Sequence, residues 1–391
     1  MRLFLFLIFQ TALFADPEAL YLTWQDDPLT TMTIQWITSS EVEQNLVVWR
    51  EADQKIWKMA EGKSSLLPDN MPYLLHRVLL QGLKPGSDYV FQIEGQSGSY
   101  KFRTLPEGKN EQVKFVEGGD VYHDALELVA QTNRQAASKS PHFAIVGGDL
   151  AYAGSSNTKP DPSLHHRWIE WLSLWKETMI TPEGYLIPII PAIGNHDING
   201  RYKQTPKDAP FFYTLFPFPG EEGCNILNCG NYLSLIILDS HHSHPIWGRQ
   251  TAWLYKNLKE RAHVDHTFAF YHVPAYPSVR SYNKEISQSI RKYWVPCFEK
   301  FHLSAAFEHH DHAYKRTKPI LRGKPDSKGV IYLGDGAWGV EKPRKPKKNW
   351  YLAVTAKTRN FILVSVQEGI RTFTAFDPDG KVIDHVVQRI E

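Results

Sequence analysis

Five apolar runs in this chain each stop on residues that can ligate a metal ion, and that repetition constrains the fold more than any other feature. VKFVEGGD ends in Asp120, and HFAIVGGDLAY presents Asp149 and Tyr152. LIPIIPAIGNHD delivers Asn195, His196 and Asp197, TFAFYH stops at His272, and LSAAFEHHDH stops at His310 and His312. Short apolar runs alternating with amphipathic stretches read as buried strands joined by helices, the pattern of an α/β fold. In open α/β folds, ligands bind beyond the carboxyl ends of the strands, where a rigid scaffold holds the loops. Five strand ends therefore bring oxygen and nitrogen donors to one rim.

Taken singly, each feature has a structural explanation: a Gly-Asp after a strand is a common turn or helix cap, and a lone histidine is commonly a surface or core residue. A packed fold gains nothing from gathering several carboxylates and imidazoles at strand ends, because clustered like charges destabilise one another unless cations intervene. The donor set contains no thiolate, which disfavours a structural zinc knot, and its carboxylates, amide, phenol and imidazoles suit hard to borderline ions. Seven candidate ligands, Asp120, Asp149, Tyr152, Asn195, His272, His310 and His312, exceed what one open catalytic ion uses. Two ions sharing a bridging carboxylate account for the number, with Asp149 the best bridge candidate. His310 and His312 lie two residues apart where the chain turns over the rim, so each can address a different ion. Asp311 between them then points away as a supporting group, while Glu308 and His309 are left unassigned.

The rest of the chain divides by rhythm. From about Leu20 to Thr104 the pattern has period two, with TMTIQW, LVVW and YVFQIEG as extended runs and LKPGSDY as a turn, which predicts an all-β sandwich. After residue 112 the helix candidates are HDALELVAQTNRQAAS, LHHRWIEWLSLWKETM, RQTAWLYKNLKERAH and KEISQSIRKYWVPCFEK. The tail returns to strands around an Asp-Pro-Asp-Gly turn, predicted to complete the larger unit's sheets. The first fifteen residues, MRLFLFLIFQTALFA, read as a cleaved export signal, and Asp16 comes too early for a membrane span. Secreted or periplasmic localisation, with no span left after cleavage, follows. A short bridge between Cys224 and Cys229 is compatible with export, and Cys297 falls in an apolar helical pattern. The formal net charge of +2 gives no global field for nucleic acid, so none is expected as a partner. The basic run EKPRKPKKNW reads first as a solvated loop and second as a dock for an anionic polymer or phosphorylated protein.

In order, the motifs GGDVY, GGDLAY, GNHD, FAFYH and HHDHAY resemble those of the metallophosphoesterases and, through the tyrosine three residues after Asp149, the purple acid phosphatases. The β-rich stretch with MTIQWIT and HRVLLQGLKPGSDYVFQI resembles the fibronectin-III-like domain that precedes the catalytic domain in plant-type members. After the signal read at 1–15, the resemblance implies a fibronectin-III-like sandwich at 17–106 and a catalytic metallophosphoesterase β-sandwich flanked by helices at 112–391. It implies ferric iron on Asp120, Asp149, Tyr152 and His312, and a divalent zinc, manganese or iron on Asp149, Asn195, His272 and His310. His196 would stand beside the pair as a catalytic, substrate-orienting group.

The activity so implied is that of an acid phosphatase acting on small-molecule or protein phosphate esters. Metal-bound hydroxide would be the nucleophile and His196 the general acid. A phosphodiesterase or nucleotide hydrolase on the same centre is the alternative, and a non-catalytic surface binding protein with a structural metal site the second. Three departures from the family pattern bear on substrate choice. Tyr122 and His123 follow the first motif where a small residue is usual, His309 replaces a glycine, and no histidine follows His272 in HVPAYPSVRSYNK.

Overall fold

The computed structural model describes residues 16–40, 45–220 and 222–390, so the export signal read at residues 1–15 lies outside it. The alternating region folds as two four-stranded antiparallel sheets. One runs in the order Ala19–Thr23, Met32–Ser39, Tyr73–Leu80, Lys63–Leu66, and the other Lys58–Glu61, Leu46–Glu51, Asp88–Ile93, Tyr100–Arg103. Ile34 and Trp36 of the first sheet pack with Val47, Tyr89 and Phe91 of the second, as alternation requires.

The opposite face of that first sheet is buried as well. Tyr21, Ile37 and Leu75 pack with Trp168, Trp171 and Trp175 of the helix His166–Thr178. The Tyr21 hydroxyl donates to the Leu215 carbonyl at 2.8 Å and the Thr23 hydroxyl to the Ile189 carbonyl at 2.7 Å. Trp24 meets Phe143 edge-on at 5.9 Å, so the N-terminal sandwich shares apolar contacts with the rest of the chain.

The remainder is a second, larger sandwich with helices outside. Its six-stranded sheet runs Ile189–Pro191, Phe143–Val146, Val113–Gly118, Phe361–Gln367, Ile370–Phe376, Val382–Arg389. The first three strands are parallel and the tail strands antiparallel, so the tail completes the sheet as predicted. The seven-stranded sheet has a parallel centre, Leu233–Ile237, His266–Phe270, Ala305–Glu308 and Tyr332–Gly334. Phe115 and Phe143 of one sheet stack at 4.9 Å, Phe270 and Phe307 of the other at 4.8 Å, and Phe115 meets Phe268 between them at 5.9 Å. The α/β class and the two-sandwich architecture are as the sequence implied.

Two expectations need correction. The candidate helix over residues 284–300 is two helices, Glu285–Tyr293 and Val295–Lys300, because Pro296 has no N–H to continue the first and sits instead in the opening turn of the second. Cys224 and Cys229 are both free, buried thiols. Cys224 precedes the strand Asn225–Cys229 and Cys229 ends it, and they belong to different cores, Cys229 between the sheets and Cys224 beneath the helix Arg249–Glu260, so no bridge joins them. Cys297 is a free, buried thiol in the second short helix.

Candidate metal centre

Every motif sits just past the carboxyl end of a parallel strand. Val113–Gly118 leads to Asp120, Phe143–Val146 to Asp149, Ile189–Pro191 to Asn195, His266–Phe270 to His272, and Ala305–Glu308 to His310 and His312. Five of the seven candidate ligands are held in the left-handed region, with φ of 55° at Asp120, 54° at Asp149, 52° at Tyr152, 77° at His310 and 60° at His312. Such conformations cost about 1–3 kcal/mol each for a non-glycine residue and cluster at functional sites. They turn each side chain back over the strand ends. A Cβ on Gly336 would collide with Asp120 Oδ2, and one on Gly194 with the Asp149 carboxylate, so glycine is what lets the loops close on both acids.

The side chains converge in two groups. In the first, Asp120 Oδ1 lies 2.8 Å from His312 Nε2 and accepts from the Tyr152 hydroxyl at 2.9 Å, with Tyr152 3.3 Å from His312 Nε2. In the second, His272 Nε2 lies 3.1 Å from His310 Nδ1, 3.2 Å from Asn195 Oδ1 and 3.3 Å from Asp149 Oδ2. One donor atom each from Asp149, His272 and His310 lie within 4.8 Å of one another. Asp149 Oδ1 accepts the His196 backbone N–H at 2.7 Å, while Oδ2 is buried and forms no hydrogen bond among the described residues.

The electrostatics fit a cation. Burial pushes the Asp149 carboxyl up, but His272 and His196 outweigh it and hold the group well below the carboxylate range. Burial alone would lower His272; Asp149 overrides it and raises the imidazole to about 9. A ligating imidazole must be neutral, so a metal ion bound here would displace the proton that Asp149 favours on His272. Burial, and next the charges of Asp120 and Asp149, hold the Tyr152 phenol well above 10, so only a strongly charged cation would ionise it there. An orphaned carboxylate oxygen, neutralisable imidazoles and a phenol facing two acids are together a donor set suited to metal ions.

Supporting groups fix these donors. Asp197 accepts from the backbone N–H groups of Asp149, Leu150 and Gly194, all at 2.8 Å, and so ties the second motif to the third. His272 Nδ1 faces the Gly147 carbonyl at 3.1 Å, which turns Nε2 toward the centre. Asp311 points away from the centre, accepting from Val279 N, Arg280 N and the Arg280 guanidinium. His309 lies outside the centre: its ring pairs with Glu117 and with the Tyr271 carbonyl, filling space above Gly119 and Gly147. His196 is half-buried, stacks on Tyr152 at 4.6 Å and faces the cleft, and burial holds it below its ordinary 6.5. The Tyr122 hydroxyl donates to Glu170 at 2.8 Å, and the Arg167 guanidinium sits 3.8 Å from the centre of its ring. The His123 ring packs edge-on against His312 at 4.8 Å.

Sequence reasoning missed Tyr202 and His242. The Tyr202 hydroxyl lies 3.3 Å from Asn195 Oδ1 and 3.2 Å from His310 Nε2, and the His242 ring lies 5.6 Å from His272. A signal for His242 existed: LSLIILDSHHSH is a sixth apolar run that ends in acid and histidine.

Residues 17–104 match the model of the purple acid phosphatase N-terminal domain, and residues 114–314 match that of the calcineurin-like phosphoesterases. The chain is 25% identical to probable purple acid phosphatase 20 of Arabidopsis thaliana, over 78% of this chain and 71% of that protein. It is 23% identical to purple acid phosphatase 13 of the same plant, spanning 76% of this chain and 63% of the relative. It is 21% identical to mouse acid phosphatase type 7, over 95% of this chain and 90% of the relative. Among solved structures, the purple acid phosphatase PPD1 of yellow lupin superposes with a TM-score of 0.77 at 16% identity, covering 94% of this chain and 73% of that one, which shows a common fold.

Proposed function

The chain belongs to the calcineurin-like phosphoesterases, in their purple acid phosphatase group, and from that premise we propose that it hydrolyses phosphate monoesters at a centre of two metal ions. The observation that carries the reading is Asp149, with one oxygen fastened to the third motif's backbone and the other buried, unbonded and 3.3 Å from His272. In this reading Asp120, Asp149, Tyr152 and His312 hold ferric iron, and Asp149, Asn195, His272 and His310 hold divalent zinc, manganese or iron. When bound, two such ions neutralise phosphoryl oxygens and acidify water.

The chain's own groups do the rest. Tyr202 orients Asn195 and His310 together, and Asp197 keeps the Asp149 loop in register with His196. His196, in the cleft wall against Tyr152, donates a proton to the departing ester oxygen when it is protonated, which its burial confines to acidic pH, a contribution of roughly 100- to 10,000-fold. Export after removal of residues 1–15, a fibronectin-III-like sandwich at 17–106 and a catalytic unit at 112–391 belong to the same proposal. A mature N-terminus at Asp16, read by mass spectrometry of the exported protein, tests the first of these.

The activity test compares p-nitrophenyl phosphate with bis(p-nitrophenyl) phosphate on metal-loaded protein. The monoester is expected to turn over faster. Faster turnover of the diester would make the protein a phosphodiesterase, and turnover of neither would leave a non-catalytic binding protein.

A further inference from the structure

The cleft above the centre carries more positive charge than one phosphate monoester needs. It encloses about 570 Å³ and is lined by Arg201, Lys203, Arg280, Lys284 and Arg344 against a single carboxylate, Glu285. The formal charge of the whole chain is only +2, so this is a local concentration. Two of the five cations are committed. Lys203 pairs with Glu285 at 3.0 Å, and Arg280 pairs with Asp311 at 2.8 Å and holds the His310 carbonyl. Arg201, Lys284 and Arg344 have no side-chain partner among the described residues.

These three come from separate segments, two of them tied to the centre or its loops. Arg201 sits at φ 68° on a turn whose neighbour Gly200 donates to the Ser155 carbonyl at 3.0 Å, and its own carbonyl faces His242 Nδ1 at 2.9 Å. It also lines the adjoining groove with Tyr152 and His196, which places it beside the reacting position. The Arg344 backbone N–H donates to the His312 carbonyl at 2.8 Å, which anchors the basic run 341–350 to the centre's rim. Lys284 is the residue that begins the helix Glu285–Tyr293. Unpaired cations focused into one cleft repel each other until an anion fills it.

Resting on the phosphoesterase reading above, we propose that Arg201, Lys284 and Arg344 form a subsite for a second phosphoryl group. The favoured substrates then carry another phosphate directly joined to the scissile one, as inorganic tripolyphosphate and nucleoside diphosphates do. In the reaction, a water oxygen bonds to the terminal phosphorus, the bond from that phosphorus to the bridging oxygen breaks, and the bridging oxygen leaves on the remaining phosphate with a proton from His196, while the attacking water releases a proton to solvent and His196 is reprotonated from it. No oxidant or reductant enters.

The first arm of the test is calorimetry on metal-free protein, which should bind tripolyphosphate at least tenfold tighter than orthophosphate. The variant Lys284→Gln/Arg344→Gln should lose that difference. The second arm measures kcat/KM of metal-loaded protein. The same variant should lose about tenfold more on tripolyphosphate or ADP than on p-nitrophenyl phosphate, the equivalent of about 1.4 kcal/mol. Whichever of the two falls more identifies the source of the second phosphate. Equal losses on all substrates, or metal-free protein that binds tripolyphosphate no tighter than orthophosphate, would overturn the subsite. Intact tripolyphosphate binding with no turnover of any ester would instead overturn the phosphoesterase reading and leave the subsite standing.

Discussion

Replacing Lys315 with methionine should unfold the floor of the proposed centre. Lys315, Glu308 and Asp335 have fully buried side chains, and the ammonium donates to the Tyr276 carbonyl at 2.6 Å and to Glu308 Oε2 while lying 3.6 Å from Asp335 Oδ1. Glu308 also accepts from the Tyr271 hydroxyl at 2.7 Å and Ala275 N at 2.6 Å, and Asp335 accepts from Ser278. These three groups thus hold residues 275–280, whose Arg280 in turn holds His310. Burial already pushes the Asp335 carboxyl well above its ordinary range against the pull of Lys315. Removing the only buried cation in this cluster of described residues leaves the Glu308 carboxylate without its ion-pair partner, at a cost of about 3–5 kcal/mol. For a urea slope of about 3 kcal/mol/M the midpoint falls by roughly 1 to 1.7 M. Circular dichroism of metal-free protein in urea reads this directly. Adding Glu308→Gln should recover about 1 kcal/mol or more, because the two losses share one pair. A Lys315→Met midpoint within about 0.3 M of the parent, or a double variant whose losses simply add, would refute the reasoning.

Three further outcomes follow from the geometry. His196→Ala should keep its metal content by elemental analysis yet lose roughly 100- to 10,000-fold in kcat, with the larger loss on alkyl phosphates; equal losses on alkyl and nitrophenyl esters would remove the general acid role. With ferric iron in the first site, as proposed above, Tyr152→Phe should bleach the violet band that a ferric phenolate gives and lower iron retention, and an unchanged band would show that Tyr152 is not the ligand. His76 stacks on Trp36 at 4.9 Å, faces Thr38 and Asn45, and is held at about 4 by burial. Its folded value is depressed, so its neutral form supports the sandwich fully above about pH 6.5, and that support is lost as pH falls from 6.5 toward 4. His76→Gln should flatten that part of a stability-against-pH curve, and an unaltered slope would contradict the assignment.

The parallel-strand ends were legible because each apolar run is short, buried on both sides and ended by a donor residue, so Asp120, Asp149, Asn195 and His272 announce themselves. The N-terminal sandwich was legible from alternation, as in Met32–Ser39. What escaped the sequence depends on contacts between distant segments. Lys315 and Arg316 look alike in YKRT, yet one is fully buried among acids while the other pairs with Asp384 nearer the surface. His309 looks like part of a ligand cluster but extends the core through Glu117, 192 residues away. Tyr202 and Arg201 reach the centre only because their loop is tied to residues 155 and 241–242, and no periodicity encodes that closure.

That Asp149 serves two metal ions in a hydrolytic centre is tested most directly by elemental analysis of protein purified without added metal, beside its Asp149→Ala variant. The parent protein should hold two metal ions per chain and the variant should be depleted of both, with loss of p-nitrophenyl phosphate turnover. A parent protein that turns over with one ion per chain, or an Asp149→Ala variant that retains two, would contradict it.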